Sequence, residues 1–370
     1  MVDVLLVSKP IVPPWHDSSK NLVRALATHM QRHTPIVLSQ PGARLDIPRA
    51  RVEPIYSADA AGFSPALRDN ARVLLRLLRG RRDECWHFFF APNPRTSTVA
   101  RAAARMRRVR TIQTVCSAPH PRVNVRAVSF ADRIVVLSEH TRSRFIASGV
   151  AADRMRLIRP AVPVLVPLPD ERVSGARRRL GLPVGRPLIV YAGDLEFGRG
   201  ADLALDSLAD LPRTLDACLV MACRAKTEGA RERASQLQAR AQSLGLAERV
   251  LWFGETPFIH DLLAVADLVT LPTDTLYAKM DVPLVLLEAM ALGRAVLVGA
   301  GTPAEELAAA GGAAVTDTQR DAVSAQTAAL LEDSARRASL GAAARALVAR
   351  DYDAVRMTEA YESLYDELTH

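Results

Sequence analysis

Short apolar runs alternate with helix-patterned stretches along this chain, and the alternation is interrupted once. Between Arg159 and Pro169 the sequence is RPAVPVLVPLP, where closely spaced prolines can continue neither a helix nor a central strand. Before this break, strands are expected at Val4–Val7, Pro35–Leu38, Trp86–Phe90, Thr111–Val115 and Arg133–Leu137, with a first helix over Asn21–Met30. After it they are expected at Leu188–Tyr191, Ala217–Met221, Val250–Phe253, Leu268–Leu271 and Ala295–Val298. Strands that alternate with helices build parallel, doubly wound sheets. The chain is therefore expected to be α/β, with two Rossmann-like domains over residues 1–165 and 175–350. A last stretch, Tyr352–Leu368, carries Val355, Tyr361, Leu364, Tyr365 and Leu368 at helical spacing and reads as an amphipathic helix.

Doubly wound sheets bind ligands beyond the carboxyl ends of their strands. That rule singles out the loops Lys9–Lys20, Ala91–Arg95, Cys116–Arg122 and Ser138–Arg142 in the first half, and YAGDLEFGRG after Val190 in the second. In the last of these, glycines at 193, 198 and 200 let backbone approach a ligand closely, and Arg199 offers a charge with bidentate geometry for phosphate. Ser18, Ser19 and Lys20 at a helix start offer donors to a phosphate, although an ordinary N-cap by Asp17 or Ser18 explains them equally well.

The stretch DVPLVLLEAMALGRAVLVG, Asp281 to Gly299, is the most informative. It reads as a helix feeding a buried strand, with Asp281 as cap, Pro283 near the first position and Gly293 at the end. One carboxylate, Glu288, stands in this apolar helix, and a lone acid there needs a partner. The free amides at the helix start form an anion site about one turn away. An anion cradle beside a hydroxyl-accepting carboxylate suits a nucleoside diphosphate; a solvated helix edge is the plain alternative.

Composition narrows the setting. Up to Leu165 there are 27 Lys and Arg against 11 Asp and Glu; beyond it the balance is 21 against 29. The halves thus differ in character, as two domains with different tasks would. The four cysteines, Cys85, Cys116, Cys218 and Cys223, have neither metal-site nor disulfide spacing, so a reducing compartment is expected. MVDVLLVSKP reads as a first strand and not as a leader, and no run approaches a membrane span. Two arginine-rich helices are expected at Ala66–Arg82 and Val99–Arg110. Their apolar and basic faces suit an anionic membrane surface, or a solvated helix face. Nucleic acid is not expected, because aromatic residues are only 5% and no zinc pattern occurs.

The second half resembles the donor-binding domain of retaining glycosyltransferases of family 4, which have the GT-B fold. YAGDLEFGRGADLALDSLADLP, LWFGETPFIHDLLAVADLVTLPT and PLVLLEAMALGRAVLVG match the family in order. DRIVVLSEHTRSRFIASGVAADRMRLIRPAV is similar to the segment closing its N-terminal domain, and the terminal helix, about 352–370, to the one that crosses back onto that domain.

The resemblance implies two domains facing a cleft, the second binding a nucleotide sugar and the first the acceptor. It implies transfer to a hydroxyl with retention, without metal or other cofactor. It places Glu288 on the donor ribose, Arg199 on the pyrophosphate with a catalytic part, and the backbone of Leu284 and Val285 near the diphosphate and sugar, with Gly193, Asp281, Ser18, Ser19 and Lys20 also on the donor side. His120, in VCSAPHP, is the candidate catalytic histidine, and Asn93, Arg95 and Glu139 are candidates for the acceptor. Three positions depart from the family: Met280 replaces a sugar-holding glutamate, Pro283 a glycine, and Asp194 a pyrophosphate arginine. Asp194 would repel a diphosphate unless it is turned away or paired. The expected protein is cytoplasmic or peripheral at the inner face of the cell membrane, with a glycan or lipid-linked acceptor. Two rivals stand beside it: a sugar-nucleotide epimerase of related fold, and a catalytically impaired GT-B binding or scaffold protein.

Overall fold

Strands buried on both faces are nearly continuous in Val, Ile and Leu, and DVLLV, RIVV, LIVY and AVLVG all have that character. In the computed structural model, which describes residues 1–59, 66–90, 93–120, 122–277 and 279–369, these segments lie inside two parallel sheets. The first sheet contains β1 (Asp3–Val7), β2 (Thr34–Ser39), β3 (Arg51–Pro54), β4 (Cys85–Phe89), β5 (Arg110–Val115), β6 (Arg133–Val136) and β7 (Met155–Leu157), in the order β3-β2-β1-β4-β5-β6-β7. The second contains β8 (Leu188–Tyr191), β9 (Cys218–Met221), β10 (Val250–Trp252), β11 (Leu268–Leu271), β12 (Ala295–Gly299) and β13 (Ala314–Thr316), in the order β10-β9-β8-β11-β12-β13. Both sheets therefore reverse winding direction beside their first strand, between β1 and β4 and between β8 and β11. The crevice outside the strand ends at such a reversal is where ligands bind.

Each sheet belongs to its own unit. Unit 1 comprises Met1–Val162, Tyr277–Val282 and Tyr352–His370; unit 2 comprises Pro163–Leu276 and Pro283–Asp351. The passage from Val162 to Pro163 falls within the proline-rich break.

The last helix, Ala354–Thr369, belongs to unit 1. Its apolar face buries Tyr361 and Tyr365 completely. The Tyr365 hydroxyl lies 2.7 Å from His87 Nδ1, and His87 Nε2 lies 2.8 Å from Thr114 Oγ1, which is 3.1 Å from the Tyr361 hydroxyl. Burial pushes the His87 pKa well down, so the ring is neutral and hydrogen-bonded at both nitrogens. His87 is thus a satisfied core histidine, as its strand position suggests. At the other edge of the same helix, the Glu362 carboxylate accepts from the backbone amides of Gln31 and His33 at 2.8 and 3.2 Å, and from that of Arg32 between them. Among the described residues no helix is long and apolar enough to cross a membrane.

Candidate functional site

In unit 2 the loops leaving β8 and β11 meet at the reversal point, and glycines make the meeting possible. A Cβ on Gly193 would lie 2.4 Å from the Tyr191 ring and 2.6 Å from Leu271 Cδ1. One on Gly299, at the end of β12, would lie 2.3 Å from the backbone oxygen of Thr273. The Arg199 amide donates to Asp274 Oδ1 at 3.0 Å, which ties the two loops together. Arg199 is the cap residue of the helix Gly200–Asp210, and its side chain is exposed at the carboxyl edge of the sheet. Asp194, the acid expected to repel a diphosphate, is turned into its own loop. Its Oδ2 accepts from the amides of Glu196 at 2.8 Å and Phe197 at 2.5 Å. This is the Asx-type arrangement that short acids adopt in turns, and it directs one carboxylate oxygen inward.

The helix Leu284–Ala291 starts at Pro283, and no side chain caps it. Among the described residues the amides of Leu284 and Val285 find no acceptor, as the first turn of an uncapped helix leaves them. Glu288, one turn on, is 8% exposed. Its Oε1 lies 3.5 Å from His260 Nε2, and the bond to Glu288 raises the His260 pKa above its ordinary value. The lone acid of the apolar helix thus has a partner in His260, which the sequence alone does not single out. It lies in the helix Ile259–Ala264, after β10, and no sequence periodicity links it to Glu288.

Asp281 does not cap this helix. It belongs to the six-residue excursion Tyr277–Val282 into unit 1, where it is 1% exposed. Its carboxylate accepts from Ser138 Oγ at 2.5 Å and Thr141 Oγ1 at 2.6 Å, and its amide donates to the Cys116 carbonyl at 2.9 Å. Two hydroxyl donors satisfy a buried carboxylate better than one exposed helix end, so Asp281 is committed away from the donor-binding part expected of it. Met280 beside it is 6% exposed.

Unit 1 corrects a second expectation. Asp17 is the N-cap of the helix Ser18–His29: its Oδ1 accepts from the Ser19 amide at 3.0 Å, the Lys20 amide at 3.4 Å and Ser19 Oγ at 2.5 Å. Its Oδ2 accepts from Lys9 Nζ at 2.8 Å. The protein's own carboxylate therefore occupies the anion position that Ser18, Ser19 and Lys20 were expected to offer a phosphate. Lys20 Nζ points to the Pro14 carbonyl at 3.4 Å.

The remaining candidates lie at the carboxyl edge of the first sheet. His120 is exposed; its Nδ1 accepts from the Arg122 amide at 3.2 Å, and its ring packs edge-on against Tyr277 with centroids 5.4 Å apart. Asn93 is the N-cap of the helix Pro94–Arg107, with Oδ1 accepting from the Thr96 amide, so part of its capacity is structural; Arg95 is exposed. Glu139 opens the helix Glu139–Ala147 and pairs with Arg142 at 2.8 Å. Cys116 is fully enclosed, and burial pushes its thiol up to about 12, which removes it as a nucleophile. Ala91, Pro92 and Pro121, in loops flagged by the strand-end rule, lie outside the described residues. Among the described residues no group of three His, Cys, Asp or Glu side chains is arranged to hold a metal.

The two arginine-rich helices are Leu67–Arg79 and Pro94–Arg107, and they pack against each other in unit 1. Several of their arginines have partners. Arg76 clamps Glu53 and Glu84, Arg68 pairs with Asp59, and Arg101 and Arg107 donate to backbone carbonyls. Leu67, Leu75, Val99 and Met106 are exposed at 89, 44, 46 and 69%, among exposed Arg79, Arg82, Arg95 and Arg105.

Comparison with known proteins bears on both units. Residues 174–347 match the family model described as Glycosyl transferases group 1. A GDP-mannose-dependent alpha-(1-6)-phosphatidylinositol monomannoside mannosyltransferase of Mycolicibacterium smegmatis is 32% identical over 228 residues, 58% of this chain and 57% of that protein. A D-inositol 3-phosphate glycosyltransferase of Xylanimonas cellulosilytica is 31% identical over 225 residues, 58% of this chain and 52% of that protein. The chain thus spans about half the length of these curated relatives. Among solved structures, Anabaena Alr3699/HepE in complex with UDP and glucose aligns over the full length of both chains, with TM-score 0.80 at 18% identity. WaaG, a glycosyltransferase involved in lipopolysaccharide biosynthesis, aligns over 98% of this chain and 99% of its own, with TM-score 0.67 at 18% identity. With two Rossmann-like parallel-sheet domains, the fold is GT-B.

Proposed function

We propose that this chain is a glycosyltransferase that moves a sugar from a nucleoside diphosphate sugar to an acceptor hydroxyl with retention, and needs no metal. Unit 2 is the nucleotide-binding domain in this reading and unit 1 the acceptor-binding domain. The observation that carries it is Glu288, a nearly buried carboxylate one turn from the uncapped helix amides of Leu284 and Val285. A ribose diol donates two hydrogen bonds to such a carboxylate, and the amides with Arg199 stabilise charge on the leaving diphosphate. The names of the relatives and the family model support the reaction class; the relatives differ in the nucleotide their names or complexes carry.

Replacing Glu288 by Ala is expected to weaken nucleoside diphosphate binding about tenfold to a hundredfold, the worth of hydrogen bonds to a charged group, while the thermal transition stays cooperative. Unchanged affinity by calorimetry, in a folded variant, removes Glu288 from the site. A second reading, a GT-B binding protein that has lost catalysis, is favoured by one observation: Met280 is buried and Asp281 is committed to Ser138 and Thr141, so neither offers a carboxylate to the transferred sugar. Nucleotide binding without transfer or hydrolysis across a panel of nucleotide sugars would select that reading.

The acceptor in our reading is membrane-associated or lipid-linked, on the strength of the exposed Leu67, Leu75, Val99 and Met106 among arginines. Such a surface gains from burying apolar side chains and from anionic headgroups together. Flotation with vesicles is expected to recover the protein with phosphatidylglycerol-containing liposomes and not with neutral phosphatidylcholine ones. Equal recovery, or none, with both would discard membrane recruitment.

A further inference from the structure

We infer that the cavity at the carboxyl ends of β9 and β10 takes the base of the nucleotide and selects guanine. This rests on the reading of unit 2 as the nucleotide-binding domain, and it adds to that reading which base is chosen and by which residues. The cavity is about 370 Å³, within the range of pockets that hold small ligands. Leu195, Met221 and Trp252 contribute its apolar walls. Two charged side chains also line it, one from the loop after each strand: Arg224 follows β9 and Glu255 follows β10.

Arg224 Nη1 and Glu255 Oε1 are 3.2 Å apart, and the side chains are 25% and 43% exposed. An ion pair this open to water contributes about 0–1 kcal/mol to stability, so the fold gains little from it. For a ligand the pair is more informative. It sets a guanidinium donor directly beside a carboxylate, which has only acceptors. The base that matches must present an acceptor beside donors.

Guanine does so: its O6 accepts, and the neighbouring N1–H and 2-amino group donate to the two carboxylate oxygens. Uracil matches at O4 and N3–H, but its O2 then faces a carboxylate oxygen, acceptor against acceptor. Adenine and cytosine bring an amino group to the guanidinium and a ring-nitrogen lone pair to the carboxylate, and so mismatch at both places. The donor and acceptor pattern that separates the bases in nucleic acids thus separates them here, and a mismatch that a bound base would shield from water carries a larger penalty than the matched bonds gain.

Calorimetric titration of the whole chain with GDP, IDP, UDP and ADP tests the assignment. GDP is expected to bind about tenfold or more tighter than UDP and ADP, and IDP, which lacks the 2-amino group, several-fold weaker than GDP. Glu255→Gln is expected to weaken GDP about tenfold, to erase most of the gap between GDP and IDP, and to leave UDP no weaker. Melting of the variant at the wild-type temperature shows that the loss is not one of folding. Tighter binding of UDP or ADP than of GDP overturns the choice of guanine and leaves the nucleotide reading standing. Equal weakening of all four ligands by Glu255→Gln overturns the role of Glu255. Failure of all four to bind the wild-type chain overturns the nucleotide reading itself, and this inference with it.

Discussion

Replacing Arg199 by Ala is expected to lower the transfer rate about a hundredfold to a thousandfold, the usual effect of removing one charged donor from a developing oxyanion. The motive is placement. Arg199 caps the helix Gly200–Asp210 at the reversal point of the second sheet, its amide is held by Asp274, and its side chain is exposed there. In the proposed reaction a guanidinium so placed would neutralise the charge that the diphosphate gains as the sugar leaves. The loss should therefore fall on kcat more than on nucleotide affinity. Arg199→Lys, which keeps the charge and gives up the bidentate fork, should recover part of the rate. Steady-state transfer with the Ala variant at wild-type kcat would end this assignment.

The largest expected loss of stability comes from a single methyl group. Gly341 lies in the helix Ser334–Asp351, and a Cβ there would sit 2.1 Å from the carbonyl oxygen of Gly293 and 2.9 Å from its carbon. Both obstacles are backbone, and Gly293 is itself held at φ +71 as it ends the Glu288 helix. Neither side can yield by rotating a side chain, so the helix must move from its seat. Gly341→Ala is expected to cost about 3 kcal/mol or more in urea unfolding, at the upper end for overpacking. Because the displaced contact lies at the end of the Leu284–Ala291 helix, nucleotide affinity should fall with it. Gly245→Ala is the control: it carries φ +70 with nothing within 4 Å of its Cβ, and should cost about 1 kcal/mol from backbone strain alone. Equal costs for the two would show that the close approach is not what makes Gly341 special.

The fold could be read from strands whose sequence leaves little choice. LIVY, LVTL and AVLVG are buried on both faces and apolar enough to be found without help. The strands without a clear sequence pattern are β3 (RVEP), β7 (MRL) and β13 (AVT), all at sheet edges and all partly exposed. An edge strand has one paired side and a wet face, so its sequence carries polar residues and no strong alternation. The site divides the same way. Arg199 and Glu288 stood out because charge at a strand end or in an apolar helix is rare. His260, Arg224 and Glu255 did not, because what matters about them is a neighbour brought up by tertiary folding. Asp17 and Asp281 show the converse: each looked like one of several local options, and the choice was made by Lys9 in one case and by Ser138 and Thr141 in the other.

The docking of Ala354–Thr369 on unit 1 has a consequence for the order of events at the ribosome. Domains generally fold as they emerge, the N-terminal one first. Here the first sheet precedes unit 2, but the Tyr365 hydroxyl that bonds His87 and the Glu362 carboxylate that caps the amides at Gln31–His33 follow it in the sequence. Until unit 2 has been translated in full, His87, Phe89 and Thr114 face outward with no cover from Tyr361 and Tyr365. Unit 1 is thus completed only after the whole of unit 2 has been made. While translation proceeds, an incomplete apolar sheet face waits for a helix encoded beyond unit 2, a natural client for a holding chaperone.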